Sequence, residues 1–384
     1  MSEFIKRITA AVTAMTVTLC GSLTAYSEGE VTGIAKAAIV TEASTGQVLY
    51  EYNSHERLPM ASVTKLMCLL IWAEEMEKGT FNMDTVITAT ARANAMDGSV
   101  IWLNIGEEMP AYDMIRSVVI ASANDACVAV CEYIAGTEEM FVERMNKRAQ
   151  ELGMSDTHYD NCVGFDSDTH YTSAYDTAIL SAAVSEYDCY NEFFNTRLDY
   201  VREGERQTQL LNTNKLMQRY DGIIGGKTGT TDKAGCCLAV WAKRGNMKLC
   251  AVALGCKESE QRFTACTDLL DYGFSGFELY RTAVDSDVLT PVTVTEGLEK
   301  QADIRVKRLN TIVIPKGSSK RIEYTHTVVD SLSAPVQYGE KVGEVRASLD
   351  GEEIFYSDIV TTGEIGELNF FSSLGIILRS LFSM

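Results

Sequence analysis

Ser62-Val-Thr-Lys65 is the stretch of this sequence from which the fold and the chemistry can be inferred. It places a hydroxyl and an amine one helical turn apart, so both side chains lie on one face of a helix that begins here. Two further motifs follow in the chain, Ser122-Ala-Asn124 and Lys227-Thr-Gly229. A serine with a nearby base and further polar groups is what acyl transfer through a covalent ester requires. Each motif alone is weak, but the ordered set predicts a serine-nucleophile enzyme.

Lys65 can take the Ser62 proton only if the pKa of its ammonium falls below the usual value. Burial would lower that pKa, and Lys227 is the candidate for a second positive charge nearby. The beginning of the helix would also place a backbone N–H near a developing oxyanion. The alternative is an ordinary helix N-cap at Ser62 followed by a solvated lysine.

Ser122 and Asn124 are two residues apart in a predicted tight connection between helices, so both can face one cleft. We expect Ser122 to relay a proton to the leaving group and Asn124 to hold the substrate backbone through its amide. The alternative is a routine helix-capping pair.

Lys227, Thr228 and Gly229 are predicted on an edge strand that lines the cleft. The lysine and the threonine would bind a substrate carboxylate, and the glycine would let an extended peptide pair closely with the strand. The N–H of Thr230 would be the second oxyanion donor. The alternative is a glycine-rich turn with a surface lysine.

The rest of the chain predicts an α+β core followed by a small all-β domain. A strand hairpin is expected over residues 35–52, helices in the middle, and two strands with a helix near residues 236–272. Beyond residue 277, short alternating runs separated by Gly, Pro, Asn and Asp predict strands. Apolar residues share one helical face over residues 364–384, which favours a helix lying in a membrane interface. The alternative for that segment is a helix docked on the β domain.

The N-terminus predicts an export signal. Lys6 and Arg7 precede an uncharged, mostly apolar run over residues 8–19, and small residues follow up to Ser27. The predicted organisation is a signal peptide over 1–27, an enzyme domain over 28–277, a β domain over 278–362 and an anchor helix over 363–384. We therefore expect a protein outside the cytoplasm, at the outer face of the membrane or in the cell wall.

Composition excludes some classes of partner and site. The formal net charge of −19 over 384 residues disfavours nucleic acid, because phosphate binding needs a basic face. Among the 11 cysteines, Cys127 and Cys131 lie one helical turn apart, and Cys236 and Cys237 are neighbours in a predicted strand. Both patterns fit small buried apolar side chains. The four histidines have no zinc-ligand spacing, so we expect no metal and no cofactor.

Together the motifs resemble the serine D-alanyl-D-alanine carboxypeptidases, the low-molecular-mass penicillin-binding proteins. The resemblance covers nearly the whole chain after the signal, through residues 35–52, 58–65, 122–126, 170–176, 226–229 and 269–274. It implies a penicillin-binding, β-lactamase-like transpeptidase core, with a sheet flanked by helices, and then the small all-β domain.

The resemblance also implies a reaction. Ser62 would be acylated by the penultimate D-Ala of a peptidoglycan stem peptide that ends in D-Ala-D-Ala, and water would then hydrolyse the ester. β-Lactams would trap the same serine. Arg262 is added because many relatives carry a basic residue near the carboxylate site. The implied residues are Ser62, Lys65 and Ser122 for catalysis, and Asn124, Lys227, Thr228, Gly229, Thr230 and Arg262 for substrate binding.

Two features bear on the alternatives. Many relatives have Asn-Pro-His-Gly-Leu where this chain has Asn161-Cys-Val-Gly-Phe165, so any subsite role of that histidine is absent. A class A β-lactamase would need Glu-x-x-Leu-Asn, which does not occur between Asn124 and Lys227. A non-catalytic peptidoglycan-binding module fits poorly, because every expected polar residue is present. A transpeptidase or an endopeptidase on the same fold stays open, since cleft shape selects the acyl acceptor.

Overall fold

The computed structural model describes residues 33–284 and 286–370, which form two compact units that meet in sequence between Gly276 and Phe277. The signal peptide predicted over 1–27 lies outside the described residues. The helices and strands of the first unit are β1 (Ala37–Glu42), β2 (Val48–Tyr52), α1 (Lys65–Glu77), β3 (Val86–Thr88), α2 (Ala91–Asn94), β4 (Glu108–Pro110), α3 (Ala111–Ala121), α4 (Asn124–Ala135), α5 (Glu138–Glu151), α6 (Ala174–Val184), α7 (Asn191–Asn195), β5 (Leu198–Val201), β6 (Thr208–Leu211), α8 (Leu216–Arg219), β7 (Ile223–Thr231), β8 (Gly235–Arg244), β9 (Met247–Cys256) and α9 (Ser259–Gly276).

A five-stranded antiparallel sheet in the order β2-β1-β9-β8-β7 forms the scaffold of this unit. Both faces are covered, because Ile39 packs in the main hydrophobic core with α1 while Val40 lies near Gly273 of α9. Strand β1 is consequently buried along its whole length. As the sequence predicts, this sheet combines the early strands β1 and β2 with the later strands β7, β8 and β9. Strand β7 lies at the edge of the sheet and carries Lys227.

Helix α1 is buried on every side from Lys65 to Ala73, as expected of a helix that is apolar nearly all round. The predicted helix start at Ser62 is wrong in detail. Residues Ala61–Thr64 form a separate 3-10 turn, and α1 begins at Lys65. The left-handed backbone of Ala61, with φ of 49°, turns the chain sharply just before the serine.

The sequence pattern did not predict the small hairpins β3–β4 and β5–β6 or the short helices α2, α7 and α8. Each spans only three to five residues, too few for a periodic pattern to emerge. The longer helices and strands predicted over residues 35–277 are all present, with ends that differ by a few residues.

The second unit is β-rich, as predicted. Its strands are β10 (Phe277–Arg281), β11 (Val292–Thr295), β12 (Gln301–Ala302), β13 (Ile304–Val306), β14 (Thr311–Pro315), β15 (Ile322–Val328), β16 (Ser331–Ser333), β17 (Lys341–Leu349) and β18 (Glu352–Thr361). They form sheets in the orders β10-β14, β12-β11-β16 and β13-β18-β17-β15.

The predicted C-terminal helix does not begin at residue 364. Ile365 forms a β-bridge with Val336, and Glu367 forms one with Gly297, because the buried Ile365 side chain packs in a small core of this unit. The rest of the predicted helix, residues 371–384, lies outside the described residues. Within the described ranges, no helix is both long and apolar enough to cross a membrane.

Candidate active site

Ser62 and Lys65 meet side chain to side chain. The Lys65 Nζ lies 2.8 Å from the Ser62 Oγ and also donates to the Val163 carbonyl at 3.0 Å. The Ser62 hydroxyl is itself 3.3 Å from the same carbonyl. Lys65 is fully buried, and Ser62 lies inside the 3-10 turn rather than capping a helix. The alternative of an N-cap with a solvated lysine is therefore wrong.

Burial lowers the pKa of Lys65, because an ammonium loses its hydration inside the protein. The neighbouring Cys127 acts in the opposite direction. The pKa of Lys227 is held well below its usual value, first by burial and then by the positive charges of Lys65 and Arg262. Burial is thus the main cause at Lys65, while repulsion between cations is felt at Lys227. A lysine that loses its proton readily is what a general base requires.

Residues Asn161–Phe165 form a tight turn against the serine. The Asn161 Oδ1 accepts the backbone N–H groups of Val163, Gly164 and Phe165, at 3.2, 2.7 and 3.0 Å. Gly164 has φ of 94°, and a Cβ there would collide with the Ala61 carbonyl. This close approach holds the Val163 carbonyl on the Ser62–Lys65 pair.

Ser122 and Asn124 lie at the connection between α3 and α4. Ser122 has a left-handed backbone with φ of 64°, and its buried Oγ has no hydrogen-bond partner among the described residues. The Asn124 Oδ1 accepts from the Lys65 Nζ at 2.7 Å, and its Nδ2 donates to the Asp97 carbonyl at 2.6 Å. Neither residue makes a side-chain cap, so the capping alternative is wrong. Asn124 positions Lys65, a contact that the motif alone did not predict.

The third motif lies on β7, and Lys227 is buried rather than at the surface. Its Nζ donates only to the Thr228 carbonyl, at 2.8 Å, among the contacts of the described residues. A Cβ on Gly229 would lie 2.6 Å from the Met60 carbonyl oxygen and 3.0 Å from the Ser62 nitrogen. The glycine is therefore required for contact with the nucleophile's own backbone, in addition to any pairing with a substrate.

Arg262, on α9, is brought to the same strand. Its Nη1 donates to the Gly229 carbonyl at 3.0 Å and to the Thr230 Oγ1 at 2.9 Å, and its Nη2 donates to the Ser259 Oγ at 3.1 Å. The Thr228 hydroxyl donates to the Thr213 Oγ1 at 2.7 Å. The structure thus brings Ser62 and Asn124 together around the Lys65 amine, and it brings Arg262 to Gly229 and Thr230 on β7. The Ser122 side chain makes no hydrogen bond to either group.

The sequence reasoning missed His170 and the Val163 carbonyl. The Nδ1 of His170 accepts the Asp160 N–H at 3.0 Å, so its Nε2 carries the proton and donates to the Thr64 Oγ1 at 2.8 Å. Burial lowers the pKa of this imidazole to about 4. The neutral His170 imidazole thereby holds Thr64, the residue before Lys65, by a hydrogen bond. A single buried histidine forms no motif with residues at a fixed spacing, and a backbone carbonyl is present in every residue. Neither contact could therefore be recognised from the sequence.

Comparison with known proteins shows the family of the chain. Residues 24–258 match the D-alanyl-D-alanine carboxypeptidase family, and residues 277–367 match the C-terminal domain of penicillin-binding protein 5. The chain belongs to this family. It is 36% identical over 342 residues to the D-alanyl-D-alanine carboxypeptidase DacF of Bacillus subtilis, covering 88% of each chain.

Two more relatives support the assignment. The D-alanyl-D-alanine carboxypeptidase DacA of Escherichia coli is 31% identical, covering 91% of this chain and 88% of its own. The crystal structure of penicillin-binding protein 5 from Haemophilus influenzae superposes with a TM-score of 0.77 and 27% identity, covering 87% of this chain and 98% of that one. The predicted family, fold class and serine-hydrolase class are confirmed.

Proposed function

We propose that this protein removes the terminal D-Ala from peptidoglycan stem peptides through an ester on Ser62. The observation that carries the proposal is the 2.8 Å contact between the Lys65 Nζ and the Ser62 Oγ in a buried setting that lowers the pKa of the lysine. A neutral amine there accepts the hydroxyl proton as the Ser62 oxygen attacks the carbonyl of the penultimate residue.

The remaining residues stabilise the charge that develops. The N–H groups of Ser62 and Thr230 would receive the oxyanion, and the contact of Gly229 with the Ser62 nitrogen supports this pairing of the turn with β7. The Ser122 hydroxyl is suited to pass the proton to the leaving amine, since no group of the described residues competes for it.

The terminal carboxylate of the peptide would bind at β7. Lys227 would pair with the carboxylate as an ammonium, a form that the negative charge of the bound carboxylate itself favours, and the Thr228 hydroxyl would add a hydrogen bond. Arg262 adds a positive charge while its hydrogen bonds hold the strand. Release of D-Ala leaves an acyl ester on Ser62, and water hydrolyses it to regenerate the enzyme. β-Lactams resemble acyl-D-Ala-D-Ala, so they would form the same ester.

The first experiment is the intact mass of the protein, without residues 1–27, followed over time after addition of a penicillin. We expect one persistent adduct, absent in Ser62→Ala, together with release of D-Ala from a synthetic acyl-D-Ala-D-Ala peptide. No adduct in the folded protein would refute the acyl-serine mechanism. Rapid recovery of free enzyme would indicate a β-lactamase, and transfer to an added amine in place of hydrolysis would indicate a transpeptidase.

The family's action on the cell wall supports a location outside the cytoplasm, and the sequence pattern over residues 1–27 supports export. We further propose that the apolar face over residues 371–384 holds the protein on a membrane surface. Truncation after residue 367 should release the protein from membranes and leave D-Ala release intact. Continued membrane binding of the truncated protein would contradict this anchor.

A further inference from the structure

Three cysteine thiols come together behind the catalytic lysine. The Sγ atoms of Cys68, Cys127 and Cys131 all lie within 4.8 Å of one another, and the three residues are fully buried. We call these three residues the thiol cluster. Cys127 and Cys131 stand one turn apart on the same face of α4, and Cys68 faces them from α1. The spacing on α4 alone indicated only small buried side chains, because the third thiol comes from a different helix.

The separation of the sulfurs suits a metal ion. Three thiolates at about 2.3 Å from one ion lie about 4 Å apart in a trigonal arrangement, which the cluster can reach with small side-chain movements. Thiolate sulfur selects soft ions such as Cu⁺ over the oxygen-preferring Mg²⁺ or Ca²⁺. Complete burial also leaves no room for the waters that hard ions retain.

A fourth thiol, that of Cys162, lies beside the cluster. The Cys162 Sγ lies 3.4 Å from the Glu138 Oε1, and its side chain is also within hydrogen-bonding reach of Cys127 and Cys131. Structural zinc sites almost always have four ligands. Among the described residues, only the sulfurs of Cys68, Cys127 and Cys131 all lie within 4.8 Å of one another, so the geometry favours an ion that accepts three thiolates.

We propose that the thiol cluster binds one soft d10 metal ion, such as Cu⁺ or Cd²⁺, through three thiolates. Each sulfur gives up its proton as it forms a bond to the ion, so three protons are released and no atom is oxidised or reduced. The site is distinct from the reaction centre, although it uses the two helices that carry Lys65 and Asn124.

A metal ion bound to the thiol cluster would also affect acylation of Ser62, an expectation that rests on the proposed function. The Cys68 and Cys127 thiols donate to the Cys162 carbonyl, at 3.2 and 3.5 Å. Metal binding removes both protons and leaves that carbonyl without these donors. The next residue is Val163, whose carbonyl receives Lys65. We therefore expect a bound ion to disturb the Val163 carbonyl and to slow acylation of Ser62.

The test uses protein that lacks residues 1–27 and carries Cys189→Ser, which removes the exposed thiol of the described residues. The protein is incubated with Cd²⁺ under a non-thiol reductant, passed through a desalting column, and analysed for metal and for thiolate-to-cadmium absorbance. We expect one Cd²⁺ per chain, and loss of that metal in Cys131→Ser. Cys266→Ser, which changes a buried thiol outside the cluster, is the matched control and should retain it.

Absence of retained Cd²⁺, or equal retention in folded Cys131→Ser, would overturn the metal site. Folding of each variant is checked by circular dichroism. Acylation by a fluorescent penicillin is then compared before and after loading, and we expect at least a tenfold slower reaction that recovers on chelation. Unchanged acylation in the loaded protein would overturn the coupling. Failure of the metal-free protein to react would instead refute the proposed function, since metal binding is measured without it.

Discussion

The side-chain oxygen of Asn124 lies 2.7 Å from the Nζ of Lys65, so the second motif holds the base of the first. The other end of the same amide donates to the Asp97 carbonyl, which fixes which atom faces the lysine. A neutral amide accepts a hydrogen bond from the amine without adding a negative charge next to it. The pKa of Lys65 can therefore stay low while its position is fixed.

Asn124→Asp should slow acylation by a fluorescent penicillin at neutral pH. A carboxylate beside the amine favours the ammonium and raises the pKa of Lys65. If the acid dissociation constant of the ammonium falls about tenfold, the fraction of neutral amine at neutral pH also falls about tenfold. Because only the neutral amine accepts the Ser62 proton, the rising limb of the pH–rate profile should move to higher pH. Stopped-flow measurement of the acylation rate across the neutral and alkaline range checks this expectation.

Asn124→Ala is the control, because it removes the contact without adding charge. Its rate should fall at all pH values, with no recovery at high pH. Identical profiles for the Asp and Ala variants would show that charge at this position does not govern the lysine.

Lys65→Arg should abolish acylation while it preserves a positive charge. A guanidinium does not lose its proton in proteins, so it cannot accept the Ser62 proton. We expect a loss of about 100-fold or more, the usual contribution of a general base. Lys233→Arg is the matched control, since this lysine is exposed and pairs with Asp168 at the surface, and it should react normally. A Lys65→Arg rate close to the original would argue against the lysine as base.

The Ser62–Lys65 contact could be predicted from the sequence because it is local. A separation of three residues places the two side chains on one face, whether the turn is 3-10 or α-helical. The edge position of Lys227 was also predictable, from its place before a strand hairpin. These inferences needed only short-range geometry.

The Val163 carbonyl could not be predicted in this way. Its contact with Lys65 joins residues 98 positions apart and involves a backbone atom that every residue possesses. The thiol cluster could not be predicted for the same reason, since Cys68 meets Cys127 only when α1 packs against α4. Long-range packing, rather than side-chain type, decides both.

Gly164→Ala should destabilise the first unit and impair acylation. The residue has φ of 94°, and a Cβ would collide with the Ala61 carbonyl and lie 2.8 Å from the Ser62 nitrogen. Left-handed strain costs about 1–2 kcal/mol and overpacking about 1–3 kcal/mol more. Urea denaturation and penicillin acylation measure the two effects.

Gly153→Ala is the matched control for Gly164→Ala. Its φ is 77°, but a Cβ there meets nothing within 4 Å, so only the backbone strain applies. We expect a loss of about 1 kcal/mol with normal acylation. Equal stability losses in the two variants would show that the contact of residue 164 with the serine turn is not tight.

The buried neutral state of His170 should make the stability of the first unit fall as the pH falls from 7 to 4. Its pKa of about 4 in the folded protein lies below the unfolded value of about 6.5, so the unfolded chain binds the extra proton in this interval. The stabilisation is complete above the unfolded value and is lost as the pH falls through the folded one, a change of about 3 kcal/mol. Urea denaturation at several pH values, followed by tryptophan fluorescence, measures it, since all three tryptophans lie in this unit. His170→Gln should show a shallower pH dependence by that amount. Parallel curves for His170→Gln and the unaltered protein would refute the buried neutral imidazole.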